Sequence, residues 1–185
     1  MSSNNESGIV EITHASGARA QVHLYGATVT AFYTAEEPTR NVLFVSDKAA
    51  LDGSKPIRGG IPLVFPIFGS APGFPNHGLV RTSTKWTLAQ LAPQQQGGRG
   101  PQGAHNHVVT IEKSAFLDND AVSGAQPSDA VVWNPWIDKA KGMSDFGDDE
   151  YLRMVCVEPG RVSEHQKLGP GKVYTLQQVI KNAAL

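Results

Sequence analysis

Apolar and polar residues alternate along much of this chain, which is the period of half-buried β-strands. Ile9 to Thr13 reads I-V-E-I-T, Ala18 to Leu24 alternates likewise, and Gly26 to Phe32 follows with β-branched residues. Asn41 to Ser46, N-V-L-F-V-S, predicts a short apolar strand. Further strands are predicted over Arg81 to Leu91, with Trp86 inside, and over Val131 to Ile137, Leu152 to Val157 and Val173 to Ile180. Asp47 to Gly53 predicts one helical turn capped by Ser46 or Asp47. A polar, acidic connection covers Asp138 to Glu150. Ile61 to Phe68 is apolar but interrupted by Pro62 and Pro66. Proline suits edges and bulges rather than a central ladder, so this stretch predicts a loop-like segment running under a ligand site. Long amphipathic helices and internal repeats are absent, and the expected fold class is all-β.

One segment breaks the pattern. Pro93 to Asn106 reads P-Q-Q-Q-G-G-R-G-P-Q-G-A-H-N, with no aliphatic residue larger than Ala104. Such a stretch buries too little apolar surface to offset its ordering entropy, so it predicts a flexible linker at 93–106. The expectation is one domain over 8–185, interrupted by that linker.

Composition narrows the function classes. The chain has 185 residues, is 40% hydrophobic, and balances 16 basic against 17 acidic side chains for a net charge of −1. That balance gives no footprint for nucleic acid or an anionic membrane surface, so anion binding has to be local. No run approaches a membrane-spanning length. The start, M-S-S-N-N-E-S, has no apolar core and predicts no signal peptide. The single cysteine, Cys156, excludes an internal disulfide and fits a reducing compartment, so the expected location is cytoplasmic. Its apolar flanks predict a buried structural thiol.

The candidate chemistry concentrates between Ser54 and Arg81. The string S-K-P-I-R-G-G-I-P-L-V-F-P-I-F-G is followed, after a Pro/Gly-rich loop, by P-N-H-G-L-V-R. Arg58, His77 and Arg81 thus sit beside or near glycines, which allow close approach of a ligand. A guanidinium presents a planar fork that matches phosphate or carboxylate. On spacing alone the better reading is two buried-edge strands joined by a Pro/Gly loop, with the arginines merely solvated. Downstream, Glu158 follows the apolar M-V-C-V and precedes Pro159-Gly160. Burial at that strand end would raise its pKa towards a useful range for a base, whereas a solvated strand-end glutamate is the plain alternative.

These strings, with D-A-V-V-W-N-P-W-I-D-K-A-K-G-M-S-D-F-G-D-D-E-Y-L-R-M-V-C-V-E-P-G over Asp129 to Gly160 and the closing L-G-P-G-K-V-Y-T-L-Q-Q-V-I, resemble the glucose-6-phosphate 1-epimerase (hexose-6-phosphate mutarotase) family, relatives of the aldose 1-epimerases. The resemblance implies a supersandwich of the galactose-mutarotase type. It implies interconversion of the α and β anomers of D-glucose 6-phosphate by general acid/base ring opening. It casts Glu158 as the catalytic base, Arg58 and Arg81 as substrate-binding arginines on the 6-phosphate, and Asn76 and His77 as substrate contacts. Asn76 stands where some family members carry glutamine, and so reaches less far. The implied partner is a small-molecule hexose 6-phosphate bound by a monomer, and the chemistry needs neither a metal nor an organic cofactor.

Two family strings are missing. The central histidine in an H-T-Y-F-like context, the family's acid, and an aspartate in a G-L-x-G-x-x-Y-x-D-like context do not occur here. The reading is therefore a fold truncated in the middle, with an inactive or binding-only form as the alternative. His105 and His107 lie in or beside the linker, and His14, His23 and His165 read as strand or surface residues. Trp133, Trp136 and Phe68 are open between core and site wall. Lys55 reads as a solvated lysine, and Asp129 and Asn134 receive no role.

Overall fold

The computed structural model describes residues 8–88 and 107–184. The predicted linker at 93–106 and His105 lie outside the described residues. These divide into two units, one comprising 8–88 and 136–152, the other 107–135 and 153–184. The matter is almost all strand and irregular backbone, with one six-residue α-helix, α1 (Trp136–Lys141). Among the described residues no helix is long and apolar enough to cross a membrane.

The first unit is built on an antiparallel three-stranded sheet of β1 (Ile9–Thr13), β2 (Arg19–His23) and β3 (Thr28–Tyr33), in that order. All three fall where the alternation predicts strands. A 3-10 turn, Tyr25–Ala27, joins β2 to β3, and the register shifts between Gln21 and Val22. Buried His23 at the end of β2 accepts the Tyr25 N–H on Nδ1, a structural bond. Beyond β3 the backbone is irregular. Residues 41–46 form only a bridge from Val45 to Gly59, because the Asn41 side chain takes over the pairing. Its Oδ1 accepts the Phe32 and Leu43 N–H groups and its Nδ2 donates to Thr30. The turn after it does form, with Ser46 Oγ accepting the Lys48 N–H, but it does not continue as a helix. Residues 61–68 are loop-like, as their prolines predict.

The strand predicted over Arg81 to Leu91 is absent among the described residues. Val80–Thr82 is a 3-10 turn and 83–88 belong to no strand. The Ser83 carbonyl is taken by Gly26, and Trp86 Nε1 folds back onto the Val80 carbonyl. Local tertiary bonds thus outcompete the strand pattern.

The second unit consists of two antiparallel ribbons. β4 (His107–Leu117) pairs along its whole length with β7 (Tyr174–Ala184). The sequence reading assigned no element to β4, and it began the last strand within one residue of β7. β5 (Asp129–Trp133) pairs with β6 (Cys156–Gly160). The predicted strand to Ile137 stops at Trp133 because Pro135 has no N–H for a ladder, and α1 begins directly after it. The predicted Leu152–Val157 strand is displaced towards the C-terminus, since Glu150–Arg153 forms a 3-10 turn. β6 runs through Pro159, which an outer strand of a two-stranded ribbon tolerates. Cys156 lies half-buried opposite Trp133, not fully buried as expected.

Candidate active site

Two backbone approaches tie the arginine-bearing segments to the start of β3. Gly26 has φ +69°, and a Cβ there would lie 2.2 Å from the Arg81 carbonyl oxygen. Its N–H donates to Ser83 O at 2.9 Å. Gly60 has φ +67°, and a Cβ there would lie 2.3 Å from the Val29 carbonyl oxygen. Ile61 and Val29 exchange backbone bonds at 2.9 and 3.2 Å. Only glycine meets both the left-handed backbone and the close contact at these positions. Arg81 and Gly60, the latter two residues past Arg58, are thereby held close to Gly26 and Val29 at the start of β3.

His77 joins them. It has φ +64°, and its loop closes on itself. The His77 N–H donates to Gly69 O at 2.7 Å, and the Gly69 N–H donates to His77 Nδ1 at 3.1 Å. An accepting Nδ1 places the proton of the neutral ring on Nε2. Burial, then the positive charges of Arg81 and Arg58, hold this imidazole below the ordinary histidine value. The ring is therefore neutral near pH 7, a hydrogen-bond donor through Nε2. Phe68 packs edge-on against it, centroids 5.0 Å apart, and is 40% exposed, so it lines this site instead of the core.

The other predicted residues separate. Asn76 is exposed, with its Oδ1 accepting from Ser70 Oγ at 3.2 Å. Lys55 is exposed and donates to Ser144 Oγ. Trp136 is 65% exposed and edge-on to Tyr151, hence not core. Glu158 belongs to the second unit. It is half-buried at the centre of β6, opposite Val131, and not at a strand end. Asp129, left without a role by the sequence, pins the backbone after β6 by accepting the Val162 and Ser163 N–H groups and the Ser163 hydroxyl. Those bonds, the Ser163 N–H first, hold its carboxyl below the usual carboxylate value.

Sequence reasoning missed a second layer beneath Arg58. Asp145, Phe146 and Glu150 are all buried. Phe146 is fully buried against Phe44, centroids 5.6 Å apart. Glu150 accepts from Ser46 Oγ at 2.5 Å and from the Asp47 and Gly147 N–H groups. Asp145 pairs with Arg58. The available signal was a lone aromatic in the acidic run M-S-D-F-G-D-D-E, which a solvated connection would not need. Among the described residues no three His, Cys, Asp or Glu side chains are grouped to hold a metal ion.

Comparison with known proteins adds to this geometry. The model of the aldose 1-epimerase family matches residues 8–102 and 121–181. A protein of Cenchrus ciliaris named "Putative glucose-6-phosphate 1-epimerase" is 26% identical over 265 aligned positions, covering 84% of this chain and 80% of that protein. The alignment is longer than this chain, so it spans positions the chain lacks. Among solved structures, a "putative mutarotase" from Salmonella typhimurium superposes with a TM-score of 0.59 at 19% identity, over 96% of this chain and 90% of that one. The structure of HI1317 superposes with a TM-score of 0.57 at 16% identity, over 95% and 92%. The likeness establishes the all-β mutarotase fold that the sequence predicts.

Proposed function

Because this chain belongs to the aldose 1-epimerase family, we propose that it interconverts the α and β anomers of D-glucose 6-phosphate, with Arg58 and Arg81 on the 6-phosphate and Glu158 as general base. The observation that carries the phosphorylated substrate is the grouping of two arginines around a neutral histidine. Both guanidinium charges act on His77, Arg81 more strongly than Arg58, and the neutral imidazole adds no charge of its own. The name of the Cenchrus ciliaris relative supports the same substrate.

Anomer exchange requires ring opening. A base removes the proton of the anomeric hydroxyl, the C1=O bond forms as the C1–O5 bond breaks, the ring oxygen takes a proton from solvent water, the C1–C2 bond rotates, and the steps reverse on closure. Glu158 takes the first proton. The Nε2–H of His77 and the amide of Asn76 donate to sugar hydroxyls, and the arginines fix the far end of the substrate. Holding the substrate at its phosphate orients the reacting end.

A second reading, binding without turnover, is favoured by the missing H-T-Y-F-like string, since an acid and a base act as a unit. Two-dimensional exchange NMR on glucose 6-phosphate decides between them. The enzyme reading predicts α/β exchange above the uncatalysed rate, lowered about 10²–10⁴-fold in Glu158→Gln. Saturable binding without added exchange selects the second reading. An exchange rate that survives Glu158→Gln removes that residue from the mechanism.

A further inference from the structure

We infer that Asp145 is a positioning residue for the anion site: it fixes the Arg58 guanidinium so that one edge is held by protein and the other is presented to the ligand. The inference rests on the reading of Arg58 as the phosphate arginine and assigns the residue that orients it.

The geometry is specific to one edge of the fork. Arg58 Nε donates to Asp145 Oδ2 at 3.3 Å, and Nη2 donates to Oδ1 and Oδ2 at 3.3 and 3.1 Å. Nη1 makes no hydrogen bond among the described residues. The carboxylate thus occupies the Nε/Nη2 edge and leaves the Nη1/Nη2 edge, which is the other bidentate face of the group. The Asp145 side chain is 11% exposed and that of Arg58 33%, so the pair lies partly covered.

Asp145 is itself fixed. Its neighbour Phe146 is fully buried, and Glu150 binds Ser46 Oγ. The Ser46 N–H in turn donates to the Arg58 carbonyl at 2.9 Å. The segment around 145–150 therefore holds Arg58 at two points, through its backbone by way of Ser46 and through its guanidinium by way of Asp145. An arginine locked before the ligand arrives loses less side-chain entropy on binding.

Positioning and simple charge cancellation predict opposite signs. If Asp145 only neutralises Arg58, removing its charge strengthens phosphate binding. If it positions Arg58, removing it weakens binding and frees the side chain. The test uses the full chain, with glucose 6-phosphate and glucose as probes in calorimetry and the Arg58 Nε–H followed by NMR hydrogen exchange. In the unsubstituted protein, Arg58 Nε–H should exchange more slowly than that of exposed Arg40, whose guanidinium is bonded through Nη1. This needs no variant to fold. Asp145→Asn should speed the Arg58 exchange about tenfold and lower the preference for glucose 6-phosphate over glucose by a similar factor, the usual weight of a hydrogen bond to a charged group. Adding Asp145→Asn to Arg58→Ala should cost nothing further.

Unprotected Arg58 Nε–H overturns the inference. So does a preference for phosphate that rises in Asp145→Asn, an equal loss for both sugars, or a further loss in the double variant. If Arg58→Ala leaves the preference unchanged, the phosphate role of Arg58 falls instead, and the hydrogen exchange still decides whether Asp145 holds it.

Discussion

Arg58, His77 and Arg81 sit on backbone that belongs to no strand, whereas Glu158 sits inside a ladder. The first unit compensates for its irregular backbone with buried anchors. Among the described residues every buried position lies in it except Ala115 and Pro135. Several of the anchors are polar, such as Thr28, Ser46, Asp145 and Glu150, and the bonds of the last three are satisfied by side chains or loop N–H groups. The second unit relies on repeated backbone pairing along its two ribbons. A site on loops is only as accurate as what lies beneath it. In the first unit a few buried residues should therefore carry large effects on stability, while in the second single side chains should contribute little to it.

The largest expected effect is at Phe146. Its truncation to alanine removes a fully buried ring and should destabilise the protein by about 3–5 kcal/mol in denaturant titration. A loss below about 1 kcal/mol would mean that the segment around 146 is not an anchor. A smaller effect belongs to Asp129 in the second unit. Its folded pKa is lowered, so the stability it contributes is present above the unfolded value near 3.9 and is lost as pH falls below that. Asp129→Asn should flatten the acid side of the stability–pH curve, and an unchanged acid limb would contradict its bonds to Val162 and Ser163. The smallest is at the ribbon surface. Lys181 pairs with Glu112 at 2.5 Å with both side chains more than half exposed, and Lys181→Met should shift stability by about 0–1 kcal/mol. A larger loss there would erase the contrast between the units.

What the sequence disclosed follows the same division. β1 is predicted to the residue and β2 and β3 closely, because period-two alternation reports a sheet with one covered face. β4 breaks the alternation, with E-K-S polar and A-F-L apolar in succession, and went unassigned beside the Gln/Gly-rich run. Residues 81–88 carry a strand-like pattern, yet the Gly26–Ser83 and Trp86–Val80 bonds claim their backbone. Periodicity contains no information about such partners. The Asp145–Glu150 anchors were hidden for a related reason. An acidic run reads as solvated until the partners Arg58 and Ser46, some 90 to 100 residues earlier, are known. Arg58, His77 and Arg81 were singled out by the strings that carry them, whereas the approaches of Gly26 to Arg81 and of Gly60 to Val29 join distant segments and are not written locally.

The central claim is that His77 lies in the field of two arginines that receive a phosphate. The direct test is the NMR titration of the His77 imidazole, with and without saturating glucose 6-phosphate. The account predicts a midpoint below 6.5 in the free protein, moving upward when the bound dianion offsets Arg81 and Arg58. A midpoint at or above 6.5 in the free protein, or one that saturating ligand leaves in place, would contradict it.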